Sequence, residues 1–466
     1  MNKKFLYIFL FLLLSFGAFS QNMTRHFMTN LPTAGYTNAS FFPDFRYTIG
    51  IPAFPYFSIS FESNIRVKHL YELQNDTAYI TIENFLNHLN KVSFIRFGTD
   101  WEILSTSFKV KNNFFSLSLM THTATELRIP RDLFLLPLKG NAPYIGDRIS
   151  FDGLGLDASV YNELAFGYTR AVTDRLNAGF RFSLLQGLAC IKSNTNIGLT
   201  TDTTTYWLHM DYDASISISG PMDTNLFSSN SNADPLGDFM ANPSKNFGLT
   251  NVGFGLSLGA DYDLTDNFNI GLSLNNLGYI KWKNDVKTYS INDGLFSFEG
   301  IKIDTNLSVV FNNMDSFFSN MLDSSLSQFD MNKTVEPFKT SLSPEIYLTL
   351  TYKLNEKNRF GFVMHDYMHD YYNLATFSLL YQRKLLKFIN LSGNYSFNTF
   401  GQSKVGAGLT LRIMGSNFYL MTNDIPGLAK PFNLSTINLQ FGYYYIKTKP
   451  PKDKHKVKKK KSDFQF

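Results

Sequence analysis

From about Tyr47 onward the dominant period of the sequence is two. Phe57, Ile59 and Phe61 alternate with Ser58, Ser60 and Glu62. Phe115, Leu117 and Leu119 alternate with Ser116, Ser118 and Met120, and Leu164, Phe166 and Tyr168 with Glu163, Ala165, Gly167 and Thr169. Leu256 and Leu258 alternate with Ser257 and Gly259; Ile270, Leu272 and Leu274 with Asn269, Gly271, Ser273 and Asn275. Near the end, Ile437, Leu439, Phe441, Tyr443 and Tyr445 alternate with Asn438, Gln440 and Gly442. Successive side chains of a strand point to opposite faces, so the pattern reads as strands with one apolar face. In a soluble sandwich the other face meets bulk water and usually carries Lys and Glu. Here it carries Ser, Gly, Asn and Thr, which suits the lumen of a closed barrel whose apolar face meets lipid.

Composition agrees with that reading. Aromatic residues make up 16% of the chain, with 46 Phe and 25 Tyr, and charged residues only 17%, against about 25% in ordinary soluble proteins. Beyond the N-terminal region no stretch of apolar residues is long enough for a membrane-crossing helix, so a helical inner-membrane protein is excluded. The expected fold is all-β: a transmembrane, antiparallel up-and-down β-barrel of about 14 strands, within a range of roughly 12 to 16. Strands of about 10 residues match a tilted crossing of the hydrocarbon core. Lys111-Asn112-Asn113, Thr173-Asp174-Arg175, Leu264 to Asn267 and Asn355 to Asn358 are the hairpin turns, because Asn and Asp tolerate left-handed backbone and bond their own chain. Longer connections are expected at Pro130–Gly153, at Gly220–Gly248 and at Asn312–Pro337, the last with a helical stripe of Met314, Phe317, Phe318, Met321 and Leu322.

The ends differ from the body. Lys3 and Lys4 precede the apolar run Phe5–Phe16, and Gly17-Ala18-Phe19-Ser20 supplies small residues before Gln21. That order is a secretion signal cut between Ser20 and Gln21, and the run is shorter than the roughly 20 residues of a spanning helix. The divisions expected are a signal over 1–20, a non-alternating segment over 21–46, the barrel over 47–446 and a basic tail over 447–466. The segment 21–46, with Pro32, Gly35 and Pro43, is either a plug in the barrel mouth or a periplasmic piece. The tail carries nine lysines against two aspartates, leaving the body mildly acidic, so nucleic-acid binding is not expected. Lys458, Lys459, Lys460 and Lys461 are either a solvated, disordered run or contacts to an anionic surface such as cell-wall polymer. Tyr443 to Ile446 ends the last alternating strand and is the natural signal to the barrel-insertion machinery. The expected partners are therefore outer-membrane lipid, that machinery, and cell-wall polymer or periplasmic proteins.

Several segments resemble a Bacteroidota outer-membrane family of unknown function, itself similar to FadL-type fatty-acid transport barrels and to type IX secretion shuttle barrels. They are Thr37-Asn38-Ala39-Ser40-Phe41, where the family pattern has Pro in place of Ala39, and Arg46 to Pro52. Tyr161 to Arg170 with Asp174 to Gly179, Asn276 to Trp282, and Ser416 to Asp424 complete the set. The resemblance covers nearly the whole chain up to about Lys447 and implies a Gram-negative outer-membrane barrel. It further implies passage of small apolar molecules through a gated lumen.

Little in the chain points to chemistry. His365 and His369 have the spacing of two metal ligands on a helix, but they fall in a polar hairpin loop between strands. Glu163 lies on the small-residue face and could pair inside the lumen with Arg181. The single cysteine, Cys190, excludes an internal disulfide. No phosphate loop, zinc pattern or nucleophile–base pair is present, so no cofactor, no metal and no enzymatic activity are expected. Three function classes remain: a passive uptake channel for a small apolar solute, a scaffold or secretion-accessory barrel, and a soluble secreted β-protein.

Overall fold

The computed structural model describes residues 23–50, 55–65, 71–74, 77–80, 82–220, 251–298, 332–429 and 436–447. The signal 1–20 and the lysines 458–461 lie outside them, as do most of the 220–248 and 312–337 connections. The helical stripe expected over Met314 to Leu322 lies outside the described residues, and Asn332–Thr334 is a short strand.

The wall starts with β1 (Tyr47–Gly50) and β2 (Tyr56–Ser63), two pieces of one wall position. A small hairpin, β3 (Tyr71–Gln74) and β4 (Thr77–Ile80), stands apart. The wall continues through β5 (Val92–Val110) and β6 (Asn113–Pro130), passes the short β7 (Arg148–Ser150), and goes on with β8 (Gly155–Ala171) and β9 (Leu176–Thr201). After β10 (Leu208–Ser219) come β11 (Val252–Asp263) and β12 (Phe268–Trp282), then β13 (Lys287–Phe298), β14 (Asn332–Thr334) and β15 (Phe338–Ser341). The last wall strands are β16 (Glu345–Lys353), β17 (Asn358–Met368), β18 (Asn373–Leu386), β19 (Ile389–Asn398), β20 (Ser403–Ile413), β21 (Ser416–Thr422) and β22 (Thr436–Lys447). β22 pairs antiparallel with β2 at Phe441↔Phe57 and with β1 at Lys447↔Tyr47. The sheet thereby closes into a 14-stranded antiparallel barrel. Closure leaves no row of unpaired backbone groups, the condition a sheet must meet in lipid.

Alternation along the strands puts the polar face inside. Leu379 is 62% exposed while its neighbour Ser378 is 1%; Leu272 is 53% exposed while Ser273 is 2%. Inward hydroxyls pair across strands, as between Ser378 and Ser396 at 2.7 Å and Thr48 and Ser107 at 2.6 Å. Outward rings form rows set by register. Tyr47 stands opposite Phe108, Phe108 opposite Phe115, Phe115 opposite Tyr168, and Tyr168 opposite Phe180. A second row runs Phe268, Tyr352, Phe360, Tyr381. Such rows near one rim have the form of the aromatic girdle of a transmembrane barrel.

Short turns lie at this aromatic rim. Met414 and Gly415, both at positive φ (50° and 93°), make one of them, a two-residue hairpin between Ile413 and Ser416. The long connections lie at the opposite rim. There Phe85, Leu86, Leu89 and Leu135 form a small core of their own.

Strand length departs from expectation. β9 has 26 residues and β5 has 19, well beyond the roughly 10 that cross lipid. The first half of β9 pairs with β11 in the wall, whereas Cys190–Thr201 pairs with β10, which leads on to β13 and β14. Beyond Cys190 the strand, with Lys192, Ser193, Asn194, Thr195 and Asn196 among its residues, continues as a sheet off the loop rim.

Candidate functional site: a plugged lumen

The non-alternating N-terminal segment occupies the barrel interior. A helix, Met23–Phe27, and a 3-10 turn, Pro32–Tyr36, fold it compactly. Met23 and Phe27 pack on Tyr347, Val363 and Leu380; Met28, Leu31 and Phe41 pack on Tyr56, Phe114 and Tyr444. Its polar groups are tied to strands all round the wall. Thr24 Oγ1 donates to Asn423 Oδ1 at 2.7 Å and lies 2.9 Å from Asn394 Oδ1, and Arg25 Nη1 donates to Tyr56 Oη at 2.6 Å. His26 Nε2 lies 2.7 Å from Thr349 Oγ1, Arg359 Nη1 donates to Thr29 Oγ1 at 2.7 Å, and Tyr36 donates to Glu102. Asn275 Nδ2 donates to Thr37 O at 2.9 Å. These partners belong to strands spread around the circumference, so the segment stands across the lumen as a hatch rather than along one side.

Its docking edge is Asn38-Ala39-Ser40. Asn38 Nδ2 and Ser40 Oγ both donate to Asp261 Oδ2, at 2.8 and 2.6 Å, and Thr169 Oγ1 donates to Ala39 O at 2.9 Å. Gly179 and Gly259, directly opposite each other on β9 and β11, make the notch that receives this edge. A Cβ at Gly179 would overlap Ala39 O, and one at Gly259 would press on the Ser40 amide. Here glycine is required by backbone approach, the general reason for glycine inside a strand.

Two cavities lie on the loop side of the hatch. The outer one, about 480 Å³, is lined by the apolar Ala124, Ile191, Leu277, Ile280 and Leu342 and by the charged or polar Arg96, Glu126, Asp157, Lys192 and His369. Below it a chamber of about 80 Å³ is enclosed by Arg25 and Tyr36 of the hatch with Asp100, His122, Glu163, Arg181 and Glu345 of the wall. On the turn side two vestibules of about 740 and 280 Å³ open beneath the hatch.

On the loop side of the hatch several inward charges are paired, as burial favours. Arg181 Nη2 is 3.4 Å from Glu163 Oε2, and His122 bridges Glu163 at 3.0 Å and Asp100 at 2.9 Å. Higher up, Arg96 lies between Glu126 at 3.1 Å and Glu62 at 3.6 Å, and Lys404 reaches Glu62 at 2.8 Å. The turn between β17 and β18 folds inward over the mouth. Asp370 pairs with Lys192 at 3.3 Å, Tyr371 donates to Asn194 Oδ1 at 3.1 Å, and Tyr372 donates to Glu126 Oε2 at 2.5 Å.

The histidine pair sits differently from expectation. β17 runs on to Met368, so His365 belongs to a strand and not to a loop. Its Nε2 faces Glu345 Oε2 at 3.1 Å, whereas His369, in the turn, lies 3.4 Å from Glu126 Oε1. At about 3.3 Å per residue, strand positions four apart are separated by roughly 13 Å, and each imidazole has its own carboxylate. Among the described residues no group of side chains is placed to hold a metal ion. Cys190 is buried beside the outer cavity.

Sequence reasoning singled out Glu163 and Arg181 but missed Arg25, Tyr36, Glu102 and Asp261. A weak signal existed for the acids: Glu102 and Asp261 lie on the inward parity of their strands, together with Asp100 and Asp263. Nothing local marks Arg25 or Tyr36, whose partners lie in distant strands.

The family described as "Family of unknown function (DUF5723)" matches residues 40–423. No curated protein matches the sequence. Among solved structures, the Pseudomonas putida toluene transporter TodX aligns at 11% identity over 93% of this chain and 95% of its own, with a TM-score of 0.41. The Ralstonia pickettii toluene transporter TbuX aligns at 9% identity over 89% and 94%, with a TM-score of 0.40. A Pseudomonas aeruginosa FadL homologue aligns at 10% identity over 90% and 94%, with a TM-score of 0.39.

Proposed function

The chain belongs to the family of unknown function (DUF5723), and since that description names no activity, we propose from the geometry that it is an outer-membrane barrel that admits a small, amphipathic solute past a hatch. The observation that carries this reading is the outer cavity: apolar and charged side chains line it together on the loop side of a lumen that the N-terminal segment closes. Its volume falls within the roughly 300–1,000 Å³ of small-molecule sites. The outward apolar strand faces and the aromatic rows support insertion in lipid, with long connections outside and short turns in the periplasm. Uptake then has three stages: capture in the outer cavity, displacement of the hatch, and release into the turn-side vestibules. The chain's own residues supply binding and gating, and no bond-making step is part of the reading.

The dense bonding of the hatch favours a second reading, a closed barrel that acts as a scaffold through its loops. Ala124→Trp separates the two, because Ala124 lines the outer cavity on an inward-facing position. Uptake of an amphipathic solute into proteoliposomes should be lost with the barrel still folded. Uptake by the parent protein no faster than in protein-free liposomes favours the scaffold.

A further inference from the structure

The larger turn-side vestibule is strongly basic. Lys353, Arg359, Lys384 and Arg412, from β16, β17, β18 and β20, line its wall, and Lys357 and Lys387 join them from the turns. The wall cations face inward. Lys353 continues the buried face of Thr349 and Thr351 and is paired in register with Arg359; Lys384 follows Ser378 and Gln382; Arg412 follows Thr410. Lysines that anchor a barrel in headgroups point outward to the lipid boundary, so anchoring does not explain these.

Countercharge is scarce. Asp44 and Glu356 are the acids of the lining, Glu356 is held by Lys353 at 2.9 Å, and Arg359 and Lys353 also border the smaller vestibule that holds Asp261, Asp263 and Asp266. Lys357, Lys384 and Lys387 form no ion pair among the described residues. Arg359 gives one bond to the hatch at Thr29 and lies 4.3 Å over the Phe27 ring, while its Nε is buried without an acceptor. Like charges gathered in a concave wall repel one another and raise the local concentration of anions. Asn30, Gln382, Asn390 and Asn417 stand among them as neutral donors.

We propose that this vestibule is a binding site for a multiply charged organic anion bearing phosphate or carboxylate groups. Arg359 offers the planar fork that such groups accept, and the lysines add point charges around it. The uptake reading decides only that the site opens to the periplasm; binding itself does not depend on transport.

Isothermal titration of the full chain in detergent micelles with inorganic pyrophosphate at low ionic strength tests the site. One saturable event is expected, weakening as salt is raised. It should weaken at least tenfold in the Arg359→Gln/Lys384→Gln double variant and stay unchanged in Lys333→Gln/Lys339→Gln, which removes the same charge from elements outside this cavity. Lys384→Gln alone, at an exposed side chain, serves if the double variant fails to fold, with several-fold weakening expected. No saturable binding by the parent protein in the millimolar range, or equal weakening in both double variants, overturns the proposal. Binding without any solute uptake would leave the site standing and remove only the transport reading.

Discussion

Replacing both Gly179 and Gly259 with alanine should free the docking edge of the hatch while leaving the barrel intact. The two glycines face each other across β9 and β11, and the backbone of Ala39 and Ser40 occupies the space their Cβ atoms would take. Neither strand can retreat, because each is hydrogen-bonded on both sides, so the hatch edge must move. Three bonds go with it: Thr169 to Ala39 O, and Asn38 and Ser40 to Asp261. The first is worth about 1 kcal/mol and the two to the carboxylate about 1.5–3 kcal/mol each, so the edge loses about 4–7 kcal/mol. At Gly259, where the added methyl meets only the hatch, alanine in place of glycine within a strand stabilises the barrel itself by about 0.5–1 kcal/mol, whereas at Gly179 it also presses on Tyr168 O and Thr169 Oγ1 of β8. The two effects therefore have opposite signs in one protein. Amide hydrogen exchange resolves them: at about 1.4 kcal/mol per tenfold, residues 38–42 should exchange at least about a hundredfold faster. Amides of β11 should be unchanged or slower. Planar-bilayer recordings should show more frequent openings. Unchanged protection of residues 38–42 would refute the notch argument, since no rearrangement of side chains alone can make room for both methyl groups.

Other expectations follow from the same geometry. Leu379→Arg puts a charge on the outward face and should cost about 2–4 kcal/mol in folding into lipid vesicles. Ser378→Ala, which removes one inward hydroxyl from its pair with Ser396, should cost only about 1 kcal/mol; a reversed order would mean that the leucine face is not the lipid face. Glu163→Ala leaves Arg181 and His122 without their shared carboxylate and should destabilise the barrel by about 3–5 kcal/mol. The drop is read as a lower urea midpoint for the heat-sensitive gel-mobility shift of the folded form. A chain ended at Lys447 should co-sediment less with cell-wall sacculi than the full chain if Lys458–Lys461 contact an anionic surface, and equal sedimentation would remove that role.

Much of this protein is written locally in its sequence. Alternation of Leu379 with Ser378, or of Phe166 with Ala165, sets which side of a strand is apolar, because side-chain direction in a strand depends only on parity. The scarcity of Lys and Glu on the second face then points that face inward, and Asn- and Asp-rich turns mark where the chain reverses. Other features depend on register and closure. Gly179 and Gly259 are 80 positions apart in the numbering and become one notch only because β9 pairs with β11. Arg25 meets Tyr56, and Thr24 meets Asn423, only because the N-terminal segment enters a cylinder closed by β22. The expected polar loop at His365 failed for the same reason: inside a barrel, His and Asp can continue a strand when the facing wall supplies Glu345. Local pattern thus determined strand faces and turns. Tertiary structure decided which buried charges meet, what fills the lumen and where space is left, because each of those depends on distances between residues remote in the chain.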